Sequence, residues 1–166
     1  VNEEQAIVWR GPMLAKGLDG LINKTIWGDL DYLIVDFPPG TGDVQISMSQ
    51  KLKLDGTLII TTPQLLSLKD VIRGINMFIK VDVPILGVVE NMSYLEEQNE
   101  KKYIFGESKT KSLLLKENIN LIEELPFNLN VPKSCDEGKP YCFDYKDDYS
   151  LKFENITNAI TKKFQS

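Results

Sequence analysis

The chain has 166 residues, of which 42% are hydrophobic and 26% are charged, and its formal net charge is −5. This composition is typical of one globular domain with its own core, and the acidic balance argues against nucleic acid as a partner. No apolar run reaches the roughly 20 residues that a membrane span needs, and the polar start Val-Asn-Glu-Glu-Gln is unlike a signal peptide. Two cysteines and no histidine indicate a reducing, cytoplasmic compartment and exclude histidine-based catalysis or zinc binding.

The first part of the chain predicts a helix, a buried strand and a second helix. Apolar residues at helical spacing predict an amphipathic helix over 13–27. Residues 32–35 are a short apolar run that predicts a buried strand, and this strand ends at Asp36. Two prolines and two glycines then force a turn, and Asp43 is placed to be the N-cap of a helix over 44–53.

The middle of the chain continues the alternation of strand and helix. Residues 57–61 and 85–89 are continuous apolar runs that predict fully buried strands. Residues 64–79 carry one apolar stripe and predict a long helix between them. Buried strands alternating with helices are typical of a parallel sheet with right-handed crossovers. The predicted fold class is therefore α/β, with a mostly parallel sheet and helices on both faces.

The last part of the chain is less regular. Residues 95–103 are polar and predict a surface loop, and residues 128–149 show no clear periodicity. The remaining predicted elements are a short helix over 108–118, a brief strand at 121–122 and a closing helix over 150–164. Ser150 is placed to be the N-cap of the closing helix.

Polar or turn-forming residues follow each predicted strand where it ends. The carboxyl ends of parallel strands meet at one edge of the sheet, and that edge is where open α/β proteins bind their ligands. We therefore expect five segments to lie together: Asp36, the loop 40–43, Thr61-Thr62-Pro63, Asn91 and Pro126-Phe127.

This set of residues suits a nucleotide with Mg²⁺. The Asp36 carboxylate is predicted to hold Mg²⁺, directly or through a water, because hard cations prefer oxygen ligands. Backbone N–H groups from Gly40 to Gly42 are predicted to face a γ-phosphate. Asn91 has the donors and the acceptor that recognise a purine edge. The ordinary alternatives stay open: Asn91 as a loop-capping amide, and Thr61 with Thr62 as plain turn residues.

One part of a nucleotide site is missing from the sequence. No G-x-x-x-x-G-K-[ST] loop, and no other glycine-rich loop with a lysine, occurs in these residues. Nothing in the sequence can cradle α- and β-phosphates, so the residues by themselves predict at most the second half of a nucleotide site.

Several longer strings carry a family resemblance. They are Trp9-Arg-Gly-Pro-Met13, residues 27–43 with Pro-Pro-Gly-Thr-Gly-Asp, Thr61-Thr-Pro-Gln64, Met77-Phe-Ile-Lys-Val81, residues 83–94 with Glu-Asn-Met-Ser-Tyr, Ile104-Phe-Gly106 and Asp136-Glu-Gly-Lys-Pro140. In these strings the chain resembles the Mrp (ApbC-like) iron–sulfur cluster carrier ATPases, which are deviant-Walker, MinD-like P-loop NTPases.

The resemblance implies a homodimeric ATPase that uses ATP with Mg²⁺, binds a 4Fe–4S cluster between subunits and hands it to apo iron–sulfur proteins. Asp36 is similar to the family's Walker B acid, and Gly40 to Asp43 are similar to its switch II segment, so Asp36, Gly40 and Asp43 are the implied catalytic positions. Asn91 is similar to the adenine-contacting asparagine, and Pro126-Phe127 to the loop that flanks the base.

The sequence departs from the family pattern in two places. The family's phosphate loop would precede residue 1, so residues 1–166 are expected to be a single domain that is the C-terminal part of a P-loop NTPase domain, incomplete at its N-terminus. ATP hydrolysis is then expected only when that loop is supplied. Many members also carry Cys-x-x-Cys where this chain has residues 95–103, without cysteine. Cys135 and Cys142 are separated by six residues, which is not a standard ligand spacing, and they lie elsewhere.

Two other readings remain open. The chain could be a non-catalytic remnant or interaction module that keeps the fold without binding nucleotide or cluster. A MinD-like spatial regulator would need a C-terminal amphipathic membrane helix. The final helix has Glu154 among its lysines and is predicted to be a packing helix instead.

Overall fold

The computed structural model describes residues 17, 19–38, 40–98 and 100–165. The predicted helix over 13–27 falls partly outside them; within the described part, residues 19–23 are helical. The elements that follow are α1 (Asp43–Leu52), β1 (Thr57–Thr61), α2 (Leu65–Lys80), β2 (Ile85–Glu90), β3 (Leu95–Glu97), β4 (Glu100–Lys102), α3 (Thr110–Lys116), β5 (Leu121–Glu124), α4 (Asn130–Asp136), α5 (Tyr141–Asp144) and α6 (Asp148–Phe164).

The main sheet has three parallel strands in the order β1-β2-β5. On one face, Ile59 and Val88 pack against the buried stripe of α2 and against Leu114 of α3. On the other face, Val89 and Leu125 pack against Ile156 of α6. Neighbouring residues of a strand point to opposite faces of the sheet. Because helices cover both faces, nearly every residue of a central strand is apolar, which explains the continuous apolar runs in the sequence. The α/β fold with a parallel sheet and helices on both faces is confirmed.

Helix α2 forms the largest part of the core. Its residues Leu68, Val71, Ile75 and Phe78 recur every three or four positions, which places them on one face, and all are buried. Ile75 is 0% exposed, and full burial of a side chain of this size contributes roughly 1.5–3 kcal/mol. The helix thereby fixes β1 and β2 in relation to each other.

The predicted strand at 32–36 is wrong. Residues 32–38 form no strand, and the Ile34 side chain is 92% exposed. The segment contacts the rest of the molecule through ring pairs at its two ends, Tyr32 with Phe164 and Phe37 with Phe78. A strand needs hydrogen-bonded neighbours, and no described strand lies beside this run, so its apolar side chains remain outside the core.

Because residues 32–38 form no strand, one edge of β1 has no partner strand among the described residues. Thr57 N donates to Pro84 O at 2.8 Å, and Asn91 N donates to Thr61 O at 2.7 Å, so these two residues direct their backbone groups toward β2. Backbone direction alternates along a strand, so the N–H and C=O groups of Leu58 and Ile60 point to the opposite edge, where the described residues supply no partner strand. Ile60, predicted as buried, is 56% exposed there.

The polar segment 95–103, predicted as a loop, contains the antiparallel hairpin β3–β4. Opposite charges face each other across its two strands, because Glu96 pairs with Lys101 and Glu97 forms an ion pair with Lys102. The hairpin has no buried face, so it lacks the apolar alternation by which a strand is recognised in a sequence.

Two N-cap predictions are also wrong. Helix α6 begins at Asp148, and its cap is Asp147, whose carboxylate accepts a hydrogen bond from Ser150 N at 3.0 Å. Asp43 is the first residue of α1, and Gly42 occupies the cap position. Residues 128–149, which have no clear periodicity, contain the short helices α4 and α5. Among the described residues, no helix is long and apolar enough to cross a membrane.

Candidate functional site

The ends of the three parallel strands bring part of the predicted site together. The strand hydrogen bonds continue past the end of β2, because Asn91 N donates to Thr61 O at 2.7 Å and Leu125 N donates to Glu90 O at 2.8 Å. Thr61, Asn91 and the Pro126-Phe127 turn therefore lie on adjacent strand ends, and we call this set the Asn91 edge.

The side chain of Asn91 is half-buried and partly engaged. Its Oδ1 accepts a hydrogen bond from Met92 N at 2.9 Å, which is the loop-capping arrangement left open above. Its Nδ2 makes no hydrogen bond to any described residue. The amide can therefore donate to an acceptor on a ligand, while its oxygen remains occupied by the loop.

Phe127 follows β5 and forms an aromatic contact with Phe105. Its backbone N donates to Tyr94 O at 2.7 Å, which fixes the turn that follows β5. Its ring centroid is 5.7 Å from that of Phe105, and the rings are tilted by 48°. Phe105 is 38% exposed, so this ring pair presents an apolar surface of the kind on which a planar base can stack.

The described residues of the segment 36–43, which we call the Asp36 loop, form a separate group. Asp36, Gly40 and Asp43 are all exposed. Gly40 has φ +104°, a conformation that glycine adopts without strain, and Gln45 Nε2 donates to Pro38 O at 3.2 Å. No hydrogen bond or ring contact among the described residues joins this loop to Asn91 or Phe127. That these residues form one site with the Asn91 edge stays a prediction.

Sequence reasoning missed a buried carboxylate next to Asn91. Glu90 is 0% exposed, and its Oε2 accepts hydrogen bonds from Ser108 Oγ and from the buried Thr110 Oγ1. Its Oε1 is buried and has no partner among the described residues. Leaving such an atom unpaired costs roughly 1–3 kcal/mol. The available signal was a charged residue that continues the apolar run 85–89 without a break.

The hairpin β3–β4 lies in the chain between Asn91 and Phe105. Lys101 Nζ is 4.1 Å from the centroid of the Tyr94 ring, and the Tyr103 ring lies 6.4 Å from it. The hairpin carries carboxylate, ammonium and amide groups but no thiolate, so it does not fit an iron–sulfur cluster as a ligand set. Cys135 and Cys142 are both free, and the described residues contain no metal-binding group of three or more cysteine or carboxylate side chains.

A partly buried ion pair joins α6 to β5. Lys152 Nζ lies 2.9 Å from Glu123 Oε1, and Asn155 Nδ2 donates to Glu123 Oε2 at 3.1 Å. Burial alone would raise the pKa of the Glu123 carboxyl, but the hydrogen bonds from Lys152 and Asn155 outweigh it and lower the pKa below its ordinary value. Burial likewise opposes the charge of Lys152, and the contact with Glu123 raises the Lys152 pKa overall. The pair stabilises the sheet face opposite α2.

Two comparisons with known sequences place this chain in a family. The family model described as ParA, NUBPL iron-transfer P-loop NTPase, matches residues 1–162. The iron–sulfur cluster transfer protein NUBPL of Dictyostelium discoideum is 44% identical over 168 residues, which cover 99% of this chain and 52% of that protein. The chain thus spans about half the length of this curated relative.

Solved structures agree with that placement. The nucleotide-binding protein of Archaeoglobus fulgidus in complex with ADP is 37% identical, with a TM-score of 0.72 over 82% of this chain and 56% of that chain. The cell division ATPase MinD of Pyrococcus furiosus, at 21% identity, has a TM-score of 0.65 over 95% of this chain and 63% of its own, which confirms the MinD-like fold. From the match over residues 1–162 and the fold it shares, the chain belongs to the NUBPL iron-transfer P-loop NTPase family.

Proposed function

We propose that this chain is the base-binding half of an ATP-binding iron–sulfur cluster carrier that transfers clusters to apo iron–sulfur proteins in the cytoplasm. The observation that carries the proposal is the 37% identity, at a TM-score of 0.72, to a protein solved with ADP. The Dictyostelium relative, 44% identical, is named for cluster transfer, which supports the second part.

An extended ligand suits the Asn91 edge together with the Asp36 loop. A nucleotide has a planar base at one end and a chain of phosphates at the other. In the proposal Asn91 Nδ2 donates to the adenine, and Pro126 and Phe127 flank its face. The exposed Asp36 carboxylate serves at the other end as the Walker B acid toward Mg²⁺, and Gly40 and Asp43 belong to the switch segment beside the γ-phosphate.

The proposal requires a phosphate-binding loop from polypeptide outside residues 1–166, because these residues contain none. We place the strand that leads into this loop at the open edge of β1. Leu58 and Ile60 direct backbone groups outward there, where the described part of the chain supplies no partner strand, and a parallel strand next to β1 would pair with them. A strand at that edge would also cover the 56% exposed Ile60 side chain.

The iron–sulfur cluster enters the proposal as cargo. The hairpin β3–β4 has no thiolate, so a 4Fe–4S cluster would need cysteines outside the hairpin, from an apoprotein or from polypeptide beyond these residues. The proposed homodimer follows from the resemblance. The lack of thiolates in the hairpin favours one second candidate, an interaction module of the same fold that carries no cluster.

Nucleotide binding is tested by calorimetric titration with Mg-ATP. We expect weak or no binding by the 166-residue chain, and micromolar binding once the polypeptide encoded upstream of Val1 is included. Asp36→Asn should reduce hydrolysis in that longer protein and raise the Mg²⁺ concentration that hydrolysis needs, and Asp31→Asn, an exposed acid nearby, is the matched control. Micromolar binding by the 166 residues alone would show that the missing loop is not needed and would overturn this division of the site.

Cluster transfer needs its own experiment. The longer protein is reconstituted with iron and sulfide, its visible absorbance is recorded, and it is then mixed with an apo iron–sulfur protein. Gain of cluster by the apoprotein supports the carrier proposal. A protein that contains the phosphate loop, binds ATP, and yet shows neither absorbance nor transfer would favour the interaction module.

A further inference from the structure

We propose that Glu90 is a positioning residue for the nucleotide base. Its buried carboxylate fixes the segment 103–110, and that segment holds the Phe105 ring against Phe127. The inference rests on the proposed nucleotide-binding function. It adds a residue that does not touch the base but determines the surface on which the base lies.

The backbone of Glu90 already belongs to the Asn91 edge. Its carbonyl oxygen accepts from Leu125 N at 2.8 Å and from Ser93 Oγ at 3.0 Å. These bonds join the end of β2 to the turn that follows β5. The position of Asn91, the next residue, is therefore fixed from both neighbouring strands.

The side chain of Glu90 reaches a different part of the molecule. Its Oε2 accepts hydrogen bonds from Ser108 Oγ and Thr110 Oγ1, which precede and begin α3. Thr110 N also donates to Ser108 Oγ at 3.1 Å, so the three residues form one closed network. Glu90 and Thr110 are both 0% exposed, and hydrogen bonds shielded from water in this way fix their groups more firmly than exposed ones do.

This network fixes one end of the segment that carries Phe105. The other end is fixed by β4, which pairs with β3. Between the two anchors the chain turns at Gly106, which has φ +81° and donates its N–H to Tyr103 O at 3.0 Å. The segment has no regular secondary structure, so the place of the Phe105 ring beside Phe127 depends on both anchors.

The unpaired Oε1 indicates that the carboxylate has a role beyond core packing. An apolar side chain of similar size would fill the same space without leaving a buried oxygen unsatisfied. Only a side chain with a hydrogen-bond acceptor can hold Ser108 and Thr110 from the end of β2. We infer that the stabilisation gained by anchoring the loop through Ser108 and Thr110 offsets the cost of the unsatisfied Oε1 atom.

The test compares base recognition with loop order in the longer protein that includes the phosphate-binding loop. ADP and GDP titrations are followed by NMR at the Asn91 side-chain amide, which reports binding even at millimolar dissociation constants. The Phe105–Phe127 ring contact is measured without nucleotide as a nuclear Overhauser effect. The variants are Glu90→Leu, which removes the acceptor, and the double change Ser108→Ala with Thr110→Val, and Glu107→Gln, an exposed neighbour, is the matched control.

We expect both Glu90→Leu and the double variant to weaken the ring contact and to reduce the preference for ADP over GDP by roughly tenfold, which corresponds to about 1.4 kcal/mol. Glu107→Gln should leave both unchanged. A general loss of stability would lower the affinities for ADP and GDP by the same factor. A change in the ratio of these affinities therefore reports the position of the base-binding surface and not the stability of the fold. The double variant keeps Glu90 itself, which maintains the test if Glu90→Leu folds poorly.

Two results would overturn the inference: a ring contact that persists in both variants, or a contact that is lost while the preference for ADP stays the same. A wild-type Asn91 amide that does not respond to ADP would overturn the proposed function instead. The ring contact in nucleotide-free protein would then still decide whether Glu90 anchors the loop.

Discussion

Replacing Lys152 by methionine tests the ion pair between α6 and β5. Methionine keeps the length and much of the apolar stem of lysine but removes the charge. Glu123 then retains the hydrogen bonds from Asn155 Nδ2 and from the backbone N of Glu124. The α6 helix should consequently be held less firmly on the sheet.

The magnitude follows from how far the pair is buried. The side chains of Lys152 and Glu123 are 23% and 16% exposed, and their charged atoms are 2.9 Å apart. Exposed pairs contribute about 0.2–1 kcal/mol, and breaking a fully buried pair costs about 3–5 kcal/mol. We expect about 2 kcal/mol for Lys152→Met, because the pair lies between these limits. In a domain of this size, that loss lowers Tm by roughly 4–8 °C.

The effect should depend on pH in a defined direction. The pKa of Glu123 is lower in the folded protein than in the unfolded chain, so its contribution is complete above the unfolded value of about 4.3 and is lost as pH falls through the folded value. The pKa of Lys152 is raised, so its contribution is complete below about 10.4 and is lost as pH rises through the folded value. The cost of Lys152→Met should therefore be greatest from about pH 5 to 10.

Urea denaturation of the wild type, Lys152→Met, Glu123→Gln and the double variant gives the coupling between the two side chains at pH 7 and at pH 3. Lys162→Met, an exposed position on the same helix, is the control and should change stability little. A coupling below about 0.5 kcal/mol at pH 7, or one of equal size at pH 3, would show that the pair does not hold α6 as described.

Four further substitutions are measured by the same denaturation. Gly87→Ala should destabilise the protein by about 2–4 kcal/mol, because the φ of Gly87 is +153° and a new Cβ would lie 2.6 Å from Ile122 Cδ1. Gly74→Ala, in α2 where a new Cβ would meet open space, should instead stabilise the protein by about 0.5–1 kcal/mol. Asp147→Ala should cost about 1 kcal/mol through loss of the α6 cap, and no change would show that the cap bond contributes nothing. Ile34→Ala should stay within about 0.5 kcal/mol, and a loss above 2 kcal/mol would mean that this side chain is buried in solution.

Local patterns were sufficient to predict much of the fold. The stripe of α2 and the continuous apolar run of β2 are dictated by burial alone, so the sequence shows them directly. Residues 32–35 have the same apolar character but form no strand, because a strand also depends on a neighbour that a local pattern does not contain. The hairpin β3–β4 is the opposite case, in which cross-strand pairing forms strands without any buried face.

The site was predictable where it depends on strand order. Asn91 and Phe127 come together because β2 and β5 are adjacent, as the alternation of strands and helices indicates. The anchor at Glu90 could not be predicted in this way. Its partners Ser108 and Thr110 lie 18 and 20 residues further along the chain, and neither has a motif that marks it as a partner.

The two anchors around the hairpin also make it a replaceable segment. The chain leaves the sheet after Glu90 and is fixed again at Ser108 by the Glu90 carboxylate, so departure and return are set by the same residue. Doubling the length of a flexible insertion between fixed ends costs only about 0.6 kcal/mol in closure entropy. Hairpins of different length and different side-chain chemistry can therefore be exchanged at this position without rebuilding the core.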